Sequence, residues 1–146
     1  MMTHMKALMI LLMLCSPALA DGRSAIVAKD GEAKAVLYDD AIKVNIRPEC
    51  RAKLAPIVAA IRYAENGTTY EYGIIHKRCP KGYRAQAGWC AATVQKNYDR
   101  WVKAGSKGDF ITYLGGIYCP VGAKNDPNGL NKHWIKNVTH YTNKFK

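Results

Sequence analysis

A chain of 146 residues has room for one domain with a modest core and hardly for two. Lys and Arg number 22 against 11 Asp and Glu, a net charge of +11, so the partner to look for is an anion. Nucleic acid is the generic guess, but basic residues are scattered without the aromatic interleaving of an RNA-binding sheet, and an export signal and an even cysteine count make a polyanion outside the cytoplasm the expected partner instead.

The first twenty residues stand apart from the domain. Lys6 precedes an apolar run from Ala7 to Cys15, and Ala18-Leu19-Ala20 places small residues where a signal peptidase reads, so residues 1–20 read as a secretory signal cleaved before Asp21. The run is much shorter than the roughly 20 residues of a spanning helix, so no stable membrane anchor is expected. A lipid anchor on Cys15 is disfavoured because Leu14 is a poor residue to precede one. The mature chain is expected to be secreted or periplasmic and monomeric. It keeps Cys50, Cys79, Cys90 and Cys119, an even number in an exported protein, which implies two disulfides whose pairing the sequence leaves open. No two of these cysteines have the short spacing of a structural zinc site, so no metal or other cofactor is expected.

Residues 21–47 read as an extension before the main domain, residues 48–146. Residues 36–38 and 42–46 are candidate short strands, the second with clean alternation, which makes the extension weakly structured or a small hairpin. Pro48 and Glu49 suit a helix start. Pro56 then implies either a kink or a helix that begins near Ala55 after a separate short turn.

Leu54, Ile57, Val58, Ile61 and Glu65 follow one another at i, i+3, i+4, i+7 and i+11, so a carboxylate falls on the stripe that should face the core. Asn66-Gly67 tolerates the left-handed conformation that closes a helix, which puts Glu65 in its last turn. Desolvation and the helix dipole both disfavour a negative charge there and raise its pKa, the condition of a general acid. The plainer alternative is a solvated Glu at a frayed helix end.

Residues 68–82 form a connection with Tyr70, Tyr72, Ile74 and Ile75, suited to a short strand pair or to the lining of a cleft. A second helix is predicted over 84–104, with Ala87, Cys90, Val94, Tyr98, Trp101 and Val102 as its apolar stripe, Trp89 beside it and Gly105 ending it. Asp109 caps a third, in which Phe110, Tyr113, Leu114, Ile117 and Tyr118 share a face and Pro120 ends the helix. Gly115-Gly116 inside it implies close packing or a nearby ligand. A short helix comes next with Leu130, Trp134 and Val138 spaced by four, then a basic tail after His140 that is expected to be mobile. The fold class is mainly α (α+β).

The run AIRYAENG followed by YGIIH resembles the helix-end Glu and the following Gly-apolar-apolar-polar segment of the soluble lytic transglycosylase and goose-type lysozyme superfamily. QAGWCAATVQKNYDRW and DFITYLGGIYCPVGAKNDPNGLNKHWIKNV resemble its later helices, so the resemblance spans Pro48 to Val138. It implies a lysozyme-like fold with a glycan cleft and cleavage of the β-1,4 bond between N-acetylmuramic acid and N-acetylglucosamine of peptidoglycan. Glu65 takes the place of the catalytic acid. Gly73, Ile74, Ile75 and His76 match the cleft segment written Gly-Leu-Met-Gln, with His76 replacing the Gln, and Tyr72 adjoins it. Tyr118 matches the Tyr of a Tyr-Asn-x-Gly motif, with Cys119 and Pro120 standing in place of the motif's next residues. These residues are expected to bind substrate, and the glycan strands and anionic wall are the expected partners.

Ordinary glycosidases use two carboxyls about 5 to 9.5 Å apart. Beside Glu65 the candidates are Glu71 and Asp126, neither in a pattern that demands the role, so a one-acid mechanism assisted by the substrate's 2-acetamido group is the expectation. A Cys79 or Cys90 thiol nucleophile near His76 and metal binding by His133 and His140 are the lesser alternatives. Asn66-Gly67-Thr68 and Asn137-Val138-Thr139 are glycan acceptor patterns, and a glycan on Asn66 would cover the proposed acid. Competing functions are a catalytically silent basic wall-binding or inhibitor protein on the same scaffold and a membrane-active basic protein without a cleft.

Overall fold

The computed structural model describes residues 40–65 and 71–146. The expected signal, the strand at residues 36–38 and the Gly67 cap lie outside the described residues. Within them the chain is helical, with no strand. Five α-helices follow in order: α1 (Asp40–Asn45), α2 (Arg51–Ala64), α3 (Tyr83–Lys103), α4 (Phe110–Tyr118) and α5 (Trp134–Lys144), with 3-10 turns at Pro48–Cys50 and Leu130–His133.

The strand expected at residues 42–46 is helix instead. Ile42 and Ile46 are buried to 1% while Val44 is 82% exposed, so the i, i+4 spacing decides and the period of two does not. Both isoleucines belong to the core, which therefore begins before residue 48. Pro48 opens a separate 3-10 turn, and α2 runs through Pro56 as one helix. Leu54, Ile57, Val58 and Ile61 are all buried, forming the hub that packs chiefly on α5 and also on α3.

α3 packs on α1, α2 and α4. It ends in a paired-carbonyl cap: Gly105 at φ +90 donates to the Val102 carbonyl and Ser106 to that of Trp101, each at 2.9 Å. α4 starts as its sequence predicts, with the Asp109 carboxylate accepting the Thr112 N–H at 2.8 Å. Its buried face is Phe110, Ile111, Leu114 and Gly115, however, and Ile117 is 47% exposed. Gly115 belongs to that face because a Cβ there would lie 2.6 Å from the Ile135 side chain and 3.2 Å from the Trp134 ring. Leu130, expected in the stripe of α5, is 63% exposed in the preceding 3-10 turn, whereas Trp134 and Val138 are buried. The C-terminal tail is helix rather than a loose end, with Thr142 and Phe145 buried and the Phe145 ring 6.1 Å from that of Tyr63.

Candidate functional site

Glu65 is the first residue beyond α2. Its N–H still donates to the Ile61 carbonyl at 2.9 Å, but its backbone is extended (φ −77, ψ 138), so the chain leaves the helix there and the carboxyl sits at the edge of the core. The half-buried side chain is held on two sides. The Trp134 indole N–H of α5 donates to Glu65 Oε1 at 3.3 Å. Gly73 also lies against it, so close that a Cβ there would be 2.9 Å from Glu65 Cδ, and its φ of +70 independently favours glycine.

The segment carrying Gly73 has no strand partner and is pinned by side chains from three helices. Arg62 of α2 donates to the Glu71 carbonyl at 3.3 Å. The Tyr118 hydroxyl of α4 donates to the Tyr72 carbonyl and lies 3.5 Å from Cys90 Sγ. Gln86 of α3 accepts from the N–H of Tyr72 at 3.4 Å and of Ile74 at 3.2 Å, and donates to the Ile74 carbonyl at 3.0 Å. The Tyr118 ring stacks on Trp134 with centroids 5.4 Å apart, which ties the tryptophan that holds Glu65 to the tyrosine that holds Tyr72.

Beside Glu65 opens a cavity of about 410 Å³ lined by Ala64, Cys119, Leu130, Asn131, His133, Trp134 and Asn137, with Glu65 as its one carboxylate among the described residues. A larger, mostly apolar cavity of about 720 Å³ lies between α1 and α3, and no carboxylate lines it among the described residues. Asp126 is occupied elsewhere. Buried to 6%, it accepts the N–H groups of Gly122 and Asn131 at 3.2 Å each and closes its own loop. Glu71 does not line the Glu65 cavity either.

Not all of the expected substrate residues converge. Gly73 abuts the acid, while Tyr72 is wholly buried and Tyr118 is held by the contacts above, so these two shape the site from beneath. Ile74 is half-buried against the core. Ile75 is 72% exposed and does not line the cavity. His76 is turned away, with its ring 5.2 Å from Trp89 and its Nδ1 accepting from the Arg78 N–H at 3.1 Å.

The two expected disulfides are not formed; all four cysteines are free. They occupy separate surroundings: Cys50 faces Gln95, Cys79 faces Gln86, Cys90 lies under Tyr118, and Cys119 lines the cavity. Burial pushes the Cys90 thiol up to about 12 and the Cys119 thiol up to about 11, and the Glu65 charge pushes both the same way. Cys79 is raised by burial as well. These three thiols are therefore protonated at neutral pH, which removes the nucleophile that a thiol mechanism requires. Burial first, then Cys90 and Glu65, hold the Tyr118 hydroxyl well above its ordinary range. Among the described residues no group of three or more His, Cys, Asp and Glu could hold a metal ion.

Sequence reasoning missed Trp134 and Gln86 as site residues. Each sits on an apolar stripe and yet carries a polar group, which is the signal that would have found them: Gln86 precedes Cys90 and Val94 by one and two turns, and Trp134 brings an indole N–H. No protein family matches the chain, and no curated protein and no solved structure matches it.

Proposed function

We propose that the chain is an exported peptidoglycan-cleaving enzyme with a lysozyme-like arrangement, in which Glu65 is the single general acid for the β-1,4 bond between N-acetylmuramic acid and N-acetylglucosamine. The observation that carries this reading is the Glu65 carboxyl, held by the Trp134 N–H and by Gly73 and standing as the one carboxylate, among the described residues, of a cavity of about 410 Å³. A carboxyl so held can present a proton in one direction only. The amides of Asn131 and Asn137 and the edge of Trp134 offer a lining suited to the hydroxyl and acetamido groups of an amino sugar. A net charge of +11, or +10 once Lys6 leaves with the signal, suits an anionic wall.

In this mechanism Glu65 gives its proton to the glycosidic oxygen as the C1–O bond breaks, and the 2-acetamido oxygen of the same sugar bonds to C1 in place of a second protein carboxylate. The 6-hydroxyl or a water then attacks C1, the acetamido bond opens, and the attacking oxygen returns a proton to Glu65. The first course gives a 1,6-anhydro end and the second a reducing end. Tyr118, whose hydroxyl is committed to the Tyr72 carbonyl, is a support and takes no proton.

Glu65→Gln keeps the size and the bond to Trp134 but has no proton to give. Clearing of purified walls is expected to fall at least ~10²-fold while folding and wall binding persist. Near-normal clearing by that variant would refute the assignment, and a wild-type protein that binds walls without clearing them would be the silent wall-binding protein instead. Mass spectrometry of released fragments separates anhydro from hydrated ends.

A further inference from the structure

Gln86 is 1% exposed, and a buried primary amide needs partners for one carbonyl oxygen and two N–H groups. It has them. Its oxygen takes the Tyr72 and Ile74 N–H groups, and its nitrogen gives to the Ile74 carbonyl and approaches Cys79 Sγ at 3.3 Å. In a sheet, bonds to alternate residues of an extended segment come from the neighbouring strand. Here one side chain on a helix supplies them, and the residue between the two it holds is Gly73.

The other anchors of the segment, Arg62 at Glu71 and Tyr118 at Tyr72, both lie before Gly73. Gln86 alone among these three also holds the chain after it, at Ile74. Without the amide, Tyr72 stays tethered while Ile74 is released, and the glycine between them can swing off the carboxyl. We propose that Gln86 is the positioning residue of this site: by clamping the backbone on both sides of Gly73 it presses that glycine against Glu65 and so fixes the direction in which the acid presents its proton. The inference rests on the reading of Glu65 as the acid. Gln86 does not line the cavity, so its effect falls on turnover rather than on substrate binding.

The test uses the full mature chain and purified walls with two variants. Gln86→Met matches the length of the side chain without its hydrogen bonds, and kcat per folded molecule is expected to fall about 10- to 100-fold with KM changed by less than about 3-fold. Gln86→Glu, when protonated, offers the same carbonyl acceptor and an O–H for the Ile74 carbonyl. It should therefore cleave much faster than Gln86→Met at acid pH and fall to the Gln86→Met level as the new carboxyl ionises. The charged and titratable groups around the clamp are Cys79, whose thiol burial raises, Glu71, which acts on Cys79, Glu65 against Gly73, Arg62 at the Glu71 carbonyl and Tyr118 at the Tyr72 carbonyl. All are common to both variants, so the limb is read from the ratio of Gln86→Glu to Gln86→Met. A role in packing alone would lower thermal stability in both variants and add no such pH limb. Gln86→Met that folds and turns over within 2-fold of wild type overturns the inference, and if it does not fold, absence of the acid-side recovery in Gln86→Glu overturns it. Cleavage retained by Glu65→Gln overturns both readings. An inactive Glu65→Gln beside a fully active Gln86→Met overturns only this one.

Discussion

A methyl group added at Gly73 would lie 2.9 Å from Glu65 Cδ, on a backbone whose φ of +70 costs an L-residue roughly 1–2 kcal/mol. Gly73→Ala therefore meets a steric and a conformational penalty together, and the carboxyl is the softer of the two to move. Wall cleavage should fall by more than about 10-fold while the urea midpoint drops by only the conformational amount, the pair of readings to be taken on one preparation. Trp134→Phe keeps the stack on Tyr118 and removes the N–H that reaches Glu65 Oε1. The indole's bond to the protonated acid is an ordinary hydrogen bond of about 0.5–1.5 kcal/mol, so a loss of about 2- to 10-fold in kcat/KM is the expected outcome. A variant as active as wild type would show that the indole serves only as packing.

Helix α5 shows which parts of the architecture a sequence reveals. Its Trp134 and Val138 were legible from their spacing, but its last turn was not, because Lys144 and Lys146 make residues 140–146 look like a solvated end. The structure puts the Lys144 Nζ 4.6 Å above the Tyr63 ring and buries Phe145 beside it. Phe145→Ala should cost about 3 kcal/mol by chemical denaturation, whereas a loose tail would show no change. Likewise α2 and the Asp109 cap were legible because periodicity and capping are local. Residues 42–46 misled because an apolar residue at every second position also satisfies i, i+4. Glu65 was legible as an acid on a core stripe, but the Trp134 N–H reaches it across 69 residues and the Gln86 amide holds the backbone beside Gly73 across 14 and 12, and such contacts leave no periodic trace.

Across the whole molecule, alkali should be a stronger denaturant than the charge count suggests. Cys90 is held up to about 12 and Cys119 to about 11, in both cases first by burial, and Tyr72 and Tyr118 are raised for the same reason. The unfolded chain releases thiol protons near about pH 8.5 while the folded chain keeps them, so the folded state binds more protons and its stability falls as pH rises. The contribution is complete below that pH and is lost progressively as pH climbs towards the folded values, at up to ~1.4 kcal/mol per pH unit for a fully buried thiol. Urea midpoints at pH 8, 9 and 10 should decline accordingly, and Cys90→Ala should be less stable at pH 8 yet flatter between pH 9 and 10. An equal slope in that variant would place the titration elsewhere.

The pinning of Tyr72 and Ile74 by a buried amide has a consequence for hydrogen exchange. Neither N–H lies in a helix or a sheet, and non-helical amides commonly exchange through small local openings. Here the acceptor is the buried Gln86 on the core face of α3, so the buried Tyr72 proton is reached only when that face is exposed, and the half-buried Ile74 proton is shielded by the same oxygen. Their deuterium uptake should be as slow as that of mid-helix amides in α2 and should rise with the same denaturant dependence as global unfolding. A site built this way does not breathe on its own: in the cavity lined by Leu130, Asn131 and His133, the wall behind Glu65 stands still.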